Sequence, residues 1–352
     1  MSRTLAEVYR RFGEGGAAGT SPLYERVAGA LGGSADALRA ISTAPARKRQ
    51  PAVILAALHD LALAGRAPAL AAAYAAADGD AAAAAAIDTV LRMTDAVVQT
   101  AVRRRPRTEV TGRGTVLYPA VAAAARRVGA SAVGLVDVGC SAGLNLTVDR
   151  VGITYDTGQA LGDPSSPVQL TASVVGDRPV PAHPIPAVVA RIGVDPNPVD
   201  VTDPDEARWL RACLAPDQRE RRARLDAELA LAATVRPLLL GGDAVELLPA
   251  ALARVPADAL PVVTTTWALS GFPPEGRLRF LRCLDGAATD RPVAWVSVEG
   301  VGVAPAVPTM GDRRASGHSI LGVTVLEHRA LHAEAVGRCW SRGRLLAWLA
   351  DS

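Results

Sequence analysis

The stretch Gly134-Leu135-Val136-Asp137-Val138-Gly139-Cys140-Ser141-Ala142-Gly143-Leu144-Asn145 constrains this chain more than any other. An apolar run, Ala132–Val138, carries Asp137 near its end and meets a turn made only of small residues. A helix is expected to begin near Gly143. Small side chains let the backbone approach a ligand closely, and a helix N-terminus offers unpaired N–H groups. Two nucleotide-binding patterns fail here. Counting G-x-G-x-x-G from Gly139 places Ser141 and Leu144 at the other two glycine positions. A P-loop needs Gly-Lys-Ser/Thr, and Lys48 is the only lysine in the chain. What remains is an acidic residue two before the first glycine, then Gly-x-small-x-Gly.

That pattern resembles the first motif of class I S-adenosylmethionine (SAM)-dependent methyltransferases, with Ser141 in place of the middle glycine. The resemblance implies a doubly wound, Rossmann-like α/β sheet. In it Asp137, Gly139, Cys140, Ser141, Gly143 and Asn145 would lie against the methionyl part of the cofactor. It also implies a carboxylate ending the second strand for the ribose hydroxyls, and another near the third strand facing the adenine amino group. Asp195, closing Ile192-Gly193-Val194-Asp195, suits the ribose, and Asp243 with Ala244, after Leu238-Leu239-Leu240-Gly241-Gly242, suits the adenine. Asp156, after Ile153-Thr154-Tyr155, stands closer to the motif and is the rival for the ribose. Arg113 precedes the first strand and is a candidate partner for the cofactor carboxylate. The alternative is a surface arginine in an Arg-rich chain.

The organisation around the motif reads as two domains, as 352 residues suggest. Residues 1–105 are expected to form a helical cap domain, and 106–352 the α/β domain. Ser21-Pro22 is a helix start with Leu23, Val27 and Leu31 on one face, and Pro51 opens another with Ile54, Leu55, Leu58 and Leu61. Ile87 to Ala101 keep a helical period for four turns, and the tract Ala81–Ala86 is a strong helix former. Beyond Arg103-Arg104-Arg105-Pro106-Arg107, read as a solvated helix end, β-type runs at 132–138, 188–194, 237–240, 260–266, 292–298 and 320–326 alternate with helical stretches. One such helix starts at Asp203-Pro204-Asp205-Glu206. The Pro-, Gly- and Asp-rich piece at 155–186 is expected as an inserted hairpin.

Composition limits the function classes. Hydrophobic residues are 49% and aromatics only 4%, so the core must be Ala, Val and Leu. Lys+Arg 38 against Asp+Glu 35 gives +3, which does not mark a general nucleic-acid binder. The four cysteines, Cys140, Cys213, Cys283 and Cys339, form no CxxC pair, which fits a reducing cytoplasm. The most apolar window, Ala52 to Ala77, is broken by His59, Asp60, Arg66 and Pro68, so no membrane helix is expected.

Several further segments match one family. Ser21-Pro22-Leu23-Tyr24-Glu25, Gly112-Arg113, Val138 to Leu146, Gly162-Asp163-Pro164, Asp195-Pro196-Asn197-Pro198-Val199-Asp200 and Ser297-Val298-Glu299-Gly300 resemble an uncharacterised bacterial family, known only as domain of unknown function 2332. The resemblance implies a helical N-terminal part and a methyltransferase-like C-terminal part, and brings no general substrate. The run Thr108-Glu109-Val110-Thr111 departs from the amide-rich stretch such a family would place before the Gly-Arg pair.

For chemistry, Glu299 and His318 are candidate bases or substrate anchors, and Trp267 a candidate wall for the sulfonium by cation–π contact. The run Thr264 to Ser270 lacks the Asn/Asp-Pro-Pro-aromatic sequence that would suggest methylation of adenine or glutamine amino groups. His328 and His332 share a helical spacing, but Arg329 stands where a metalloprotease needs glutamate, and no metal is expected. The sequence thus points to methyl transfer from SAM to a small-molecule acceptor. A SAM-consuming cyclase and a non-catalytic SAM-binding protein are the alternatives.

Overall fold

The computed structural model describes residues 3–16, 21–107, 111–328 and 330–351. Thr108, Glu109, Val110 and Arg329 therefore lie outside the described residues. Helices α1 (Leu5–Arg11), α2 (Pro22–Gly33), α3 (Ala35–Ile41), α4 (Pro51–Leu63), α5 (Pro68–Ala76), α6 (Gly79–Arg92) and α7 (Thr94–Arg103) come first. Then follow α8 (Gly114–Val128), β1 (Ala132–Val138), β2 (Gly152–Tyr155), β3 (Ala160–Gly162), β4 (Gln169–Val174) and β5 (Ala187–Asp195). The chain continues through α9 (Pro204–Ala212), α10 (Arg219–Val235), β6 (Leu238–Gly241), α11 (Ala244–Leu252), β7 (Leu260–Thr266) and α12 (Pro274–Ala287). It ends in β8 (Val293–Gly300), β9 (Ser319–Glu327), β10 (Ala330–Trp340) and β11 (Leu345–Trp348).

Two compact units result: Met1–Glu109 with Thr202–Asp226, and Val110–Val201 with Ala227–Ser352. The first is helical. Ser21 caps α2 by accepting from the Tyr24 N–H, and its own hydroxyl donates to Asp217 Oδ1 at 2.7 Å. The uninterrupted helix expected from Ile87 to Ala101 is broken at Met93 (φ −125°, ψ 32°), which separates α6 from α7. The Thr94 hydroxyl donates back to the Val90 carbonyl at 2.7 Å, a local bond that competes with the helix ladder. Residues 202–226 read in sequence as part of the α/β domain, yet they join the helical unit. Trp209 buries its indole against Ala56 and donates Nε1–H to the Arg105 carbonyl at 2.8 Å, and Arg208 pairs with Asp60 at 2.9 Å. Arg104 likewise pairs with Glu206, so the arginine run is partly engaged rather than wholly solvated. Among the described residues no single helix is long and apolar enough to cross a membrane, and α4 and α5 are bent from one another by 102°.

The second unit is mixed α/β around an eleven-stranded sheet of order β3-β2-β4-β11-β10-β9-β8-β7-β1-β5-β6. Strand alternation sorts its core onto two faces. Val133 and Leu135 pack with α8, whereas Val136 and Val138 pack with α11 and α12. The run β6-β5-β1-β7-β8 is parallel throughout, while β9, β10 and β11 are each antiparallel to the strand before them. The insertion expected at 155–186 starts earlier: β2 and β3 form an antiparallel pair, and β4 runs parallel to both β2 and β11. His328 and His332 do not share a helix. His328 sits in the turn after β9, and His332 lies on β10 opposite Val325, because residues 330–340 pair with β9 along its length.

Candidate functional site

Register brings the ends of the parallel strands to one edge. Asp137 lies beside Gly193 of β5 and Thr264 of β7, Asp195 beside Gly241 of β6, and Thr266 beside Val298 of β8. Once the chain has built β2, β3 and β4 at the far end of the sheet, it places β5 on one side of β1 and later β7 on the other, and in open α/β sheets a reversal of this kind is where ligands bind. The turn after β1 is left-handed at Gly139 (φ +75°), Ser141 (φ +50°) and Gly143 (φ +70°). A Cβ at Gly139 would also meet Ala268 Cβ at 2.8 Å, so this position admits only glycine on two counts. Cys140 turns inward: its Sγ would lie 2.5 Å from a Cβ on Gly193, so the bare glycine of β5 makes room for the thiol. The helix expected after Gly143 is a 3₁₀ helix, Leu144–Arg150.

Asp137 is fully buried and braces the edge. It accepts from the Thr264 hydroxyl at 2.6 Å and from Asn145 Nδ2 at 3.1 Å. Asn145 Nδ2 also donates to Thr266 Oγ1 at 3.1 Å, and Arg113 Nη1 donates to that hydroxyl oxygen at 2.6 Å and to the Thr266 carbonyl at 3.1 Å. Burial pushes the Asp137 carboxyl up to about 6, against the opposing pull of Thr264, Arg113 and Asn145. Burial likewise brings the Arg113 guanidinium down to about 10, which leaves it cationic at neutral pH. Arg113 is therefore no surface residue. Its guanidinium lies 5.0 Å from the centre of the Trp267 ring.

Trp267 is the second non-glycine residue of this edge with positive φ, at +55°. Its backbone N–H donates to the Val298 carbonyl at 2.9 Å and its indole N–H to Ser319 Oγ at 2.8 Å. The turn it opens presents two backbone N–H groups, from Ala268 at 3.0 Å and Leu269 at 3.1 Å, to one oxygen of Glu299. The other oxygen, Oε2, is buried with no hydrogen-bond partner among the described residues. Burial raises the Glu299 carboxyl to about 7, opposed by those N–H groups, the Thr265 hydroxyl and Arg113. His318 adjoins Ser319 in sequence but bonds elsewhere. Its Nε2 lies 2.9 Å from Asp312 Oδ2, and Arg338 forks the same carboxylate at 2.7 and 3.0 Å.

The acidic strand ends divide sharply. Asp195 is buried and accepts from the Ser141 N–H at 3.0 Å and the Asn197 N–H at 2.8 Å, which ties the second strand end to the turn after β1. Asp243 is exposed and caps α11 through the N–H groups of Val245 (2.9 Å) and Glu246 (3.1 Å), while Ala244 is buried in the first turn. Asp156 accepts from the Val174 N–H at 2.9 Å in an exposed turn after β2, toward the opposite end of the sheet from β1. The edge thus joins Arg113, Asp137, Ser141, Asn145, Asp195, Trp267 and Glu299 and leaves His318 in a separate cluster. Sequence reasoning missed Thr264, Thr266 and Ser319, which connect the others. The signal for two of them was the run of three threonines ending a buried strand.

No curated protein and no solved structure matches the chain. The model of a family described as "Uncharacterized protein conserved in bacteria (DUF2332)" matches residues 6–348, nearly the full length, and the chain belongs to that family.

Proposed function

We propose that the sheet unit is a SAM-methyltransferase-like fold that binds SAM at this edge and methylates a small-molecule acceptor. The observation that carries the reading is the bond between the Ser141 N–H and Asp195, because it joins a glycine-type turn to an acidic end of the next strand. Strands β6-β5-β1-β7-β8 have the order 3-2-1-4-5 of a doubly wound sheet, which supports the fold. Beyond β8 the sheet continues through an antiparallel run to eleven strands.

The residues present fit such a ligand. Ser141 Oγ, Arg113 Nε and Glu299 Oε2 are buried polar atoms without partners among the described residues, and native structures rarely leave such atoms idle. Asp195 supplies a buried carboxylate, the kind of group that accepts from ribose hydroxyls, and Arg113 carries the charge and donors that meet a carboxylate. The chemistry that SAM supplies when bound is an activated methyl group. Glu299, with a carboxyl near 7 and a free oxygen, suits removal of a proton from an acceptor at neutral pH. Trp267 and Arg113 form one wall of the same edge.

The test is to incubate the full chain with SAM, alone and with a metabolite extract, and to separate the nucleoside products. S-adenosylhomocysteine that accumulates only when acceptor is present supports methyl transfer. Methylthioadenosine released from SAM alone would indicate cyclisation of the cofactor and overturn the reading. Binding of SAM with no turnover under either condition would leave a binding protein.

A further inference from the structure

We propose that the helical unit holds its own binding site for a small apolar carboxylate, in a cavity of about 470 Å3 between α4, α5, the connection before α10 and the first turns of α10. Nothing in this inference rests on the reading of the sheet unit. The volume lies within the roughly 300–1,000 Å3 range of small-molecule pockets. Its walls are Leu63, Pro216 and alanine side chains, with Tyr74 and His59 and, from α10, Arg219 and Arg222.

The polar groups decide the ligand class. Tyr74 is buried, and its hydroxyl has no partner among the described residues, so a ligand acceptor would satisfy it. His59 is buried too, with Nδ1 2.9 Å from the Leu214 carbonyl, and burial first, then the charge of Arg222, holds it neutral down to about pH 4. The imidazole therefore adds no charge near neutrality. Asp226 is already answered by Arg211 Nε at 2.6 Å. Arg219 spends one donor on the Ala75 carbonyl at 3.3 Å, and the Arg222 guanidinium has no ion-pair partner among the described residues. Two guanidinium groups beside a neutral histidine and an apolar wall call for one negative charge on a hydrocarbon body. A carboxylate meets an arginine with two parallel hydrogen bonds, whereas a neutral alcohol leaves that charge unanswered.

Titration calorimetry on the full chain with octanoate and phenylacetate, against octanol and octylamine, tests the proposal. At least one acid should bind, with octanol at least about tenfold weaker and octylamine silent. Arg222→Gln should weaken the acid roughly tenfold and leave octanol unchanged. Tyr74→Phe removes a hydroxyl that is unpaired without ligand, so Tm should hold or rise while the acid binds more weakly. Asp195→Ala, in the sheet unit, should leave acid binding unchanged. Failure of both acids to bind, equal binding of octanol, or unchanged affinity in either cavity variant would overturn the site.

Discussion

The two units bury polar groups in different ways. In the helical unit Asp60 is answered by Arg208 and Asp217 by Ser21 and the Leu23 N–H, and the buried His59 stays neutral. In the sheet unit Asp137, Glu299 and Arg113 lie at one edge, with both carboxyls raised and the guanidinium lowered by burial. Buried charge is a poor source of stability, since desolvation offsets much of the attraction. Its concentration at the C-terminal ends of parallel strands, beside two non-glycine residues with positive φ, is what singles that edge out as the candidate site.

The largest expected effect breaks the brace. Asp137→Ala removes the carboxylate that most favours the Arg113 charge, the acceptor of the Thr264 hydroxyl and one of the two acceptors of Asn145 Nδ2, and should destabilise the protein by about 3–5 kcal/mol in urea unfolding. A loss below about 1 kcal/mol would show that the edge does not depend on this network.

The two units should also answer pH with opposite signs. Glu299 has a raised pKa in the folded state, so its contribution is full below about 4.5 and is lost as pH rises through about 7. His59 has a lowered one, so its contribution is full above about 6.5 and is lost as pH falls through about 4. Between about pH 7.5 and 5, wild type should gain about 2 kcal/mol on Glu299→Gln and lose about 2 kcal/mol on His59→Gln. Guanidinium unfolding of the three proteins at both pH values measures this, and shifts of the same sign would erase the contrast.

The smallest effect concerns Ser141. Its left-handed backbone should make Ser141→Gly more stable by up to about 1 kcal/mol. Weaker SAM binding by that stabler variant would show that the hydroxyl serves a ligand rather than the fold.

Much of the sheet was legible in the sequence because its central strands are buried on both faces and read as largely apolar runs, such as Ala132–Val138. β10 was not, because its first half is half-exposed and alanine-rich, and the spacing of His328 and His332 imitates a helix. The placement of 202–226 was hidden for another reason: α9 begins with a helix start that fits either unit, and only Trp209 and Arg208 decide it. The candidate site was half legible. Glycine and acidic residues leave a pattern at fixed spacing, whereas Thr264 and Thr266 act through cross-strand register with Asp137 and Val298, which no local pattern records.

The most direct measurement is titration calorimetry with SAM and S-adenosylhomocysteine on wild type, Asp195→Ala and Asp156→Ala. Micromolar-order binding is expected for wild type. Asp195→Ala should lose charged hydrogen bonds of ~1.5–3 kcal/mol, roughly 10- to 150-fold in affinity, and Asp156→Ala, at the far end of the sheet, should bind as wild type does. No heat with either nucleoside, or a loss confined to Asp156→Ala, would contradict the assignment of this edge to SAM.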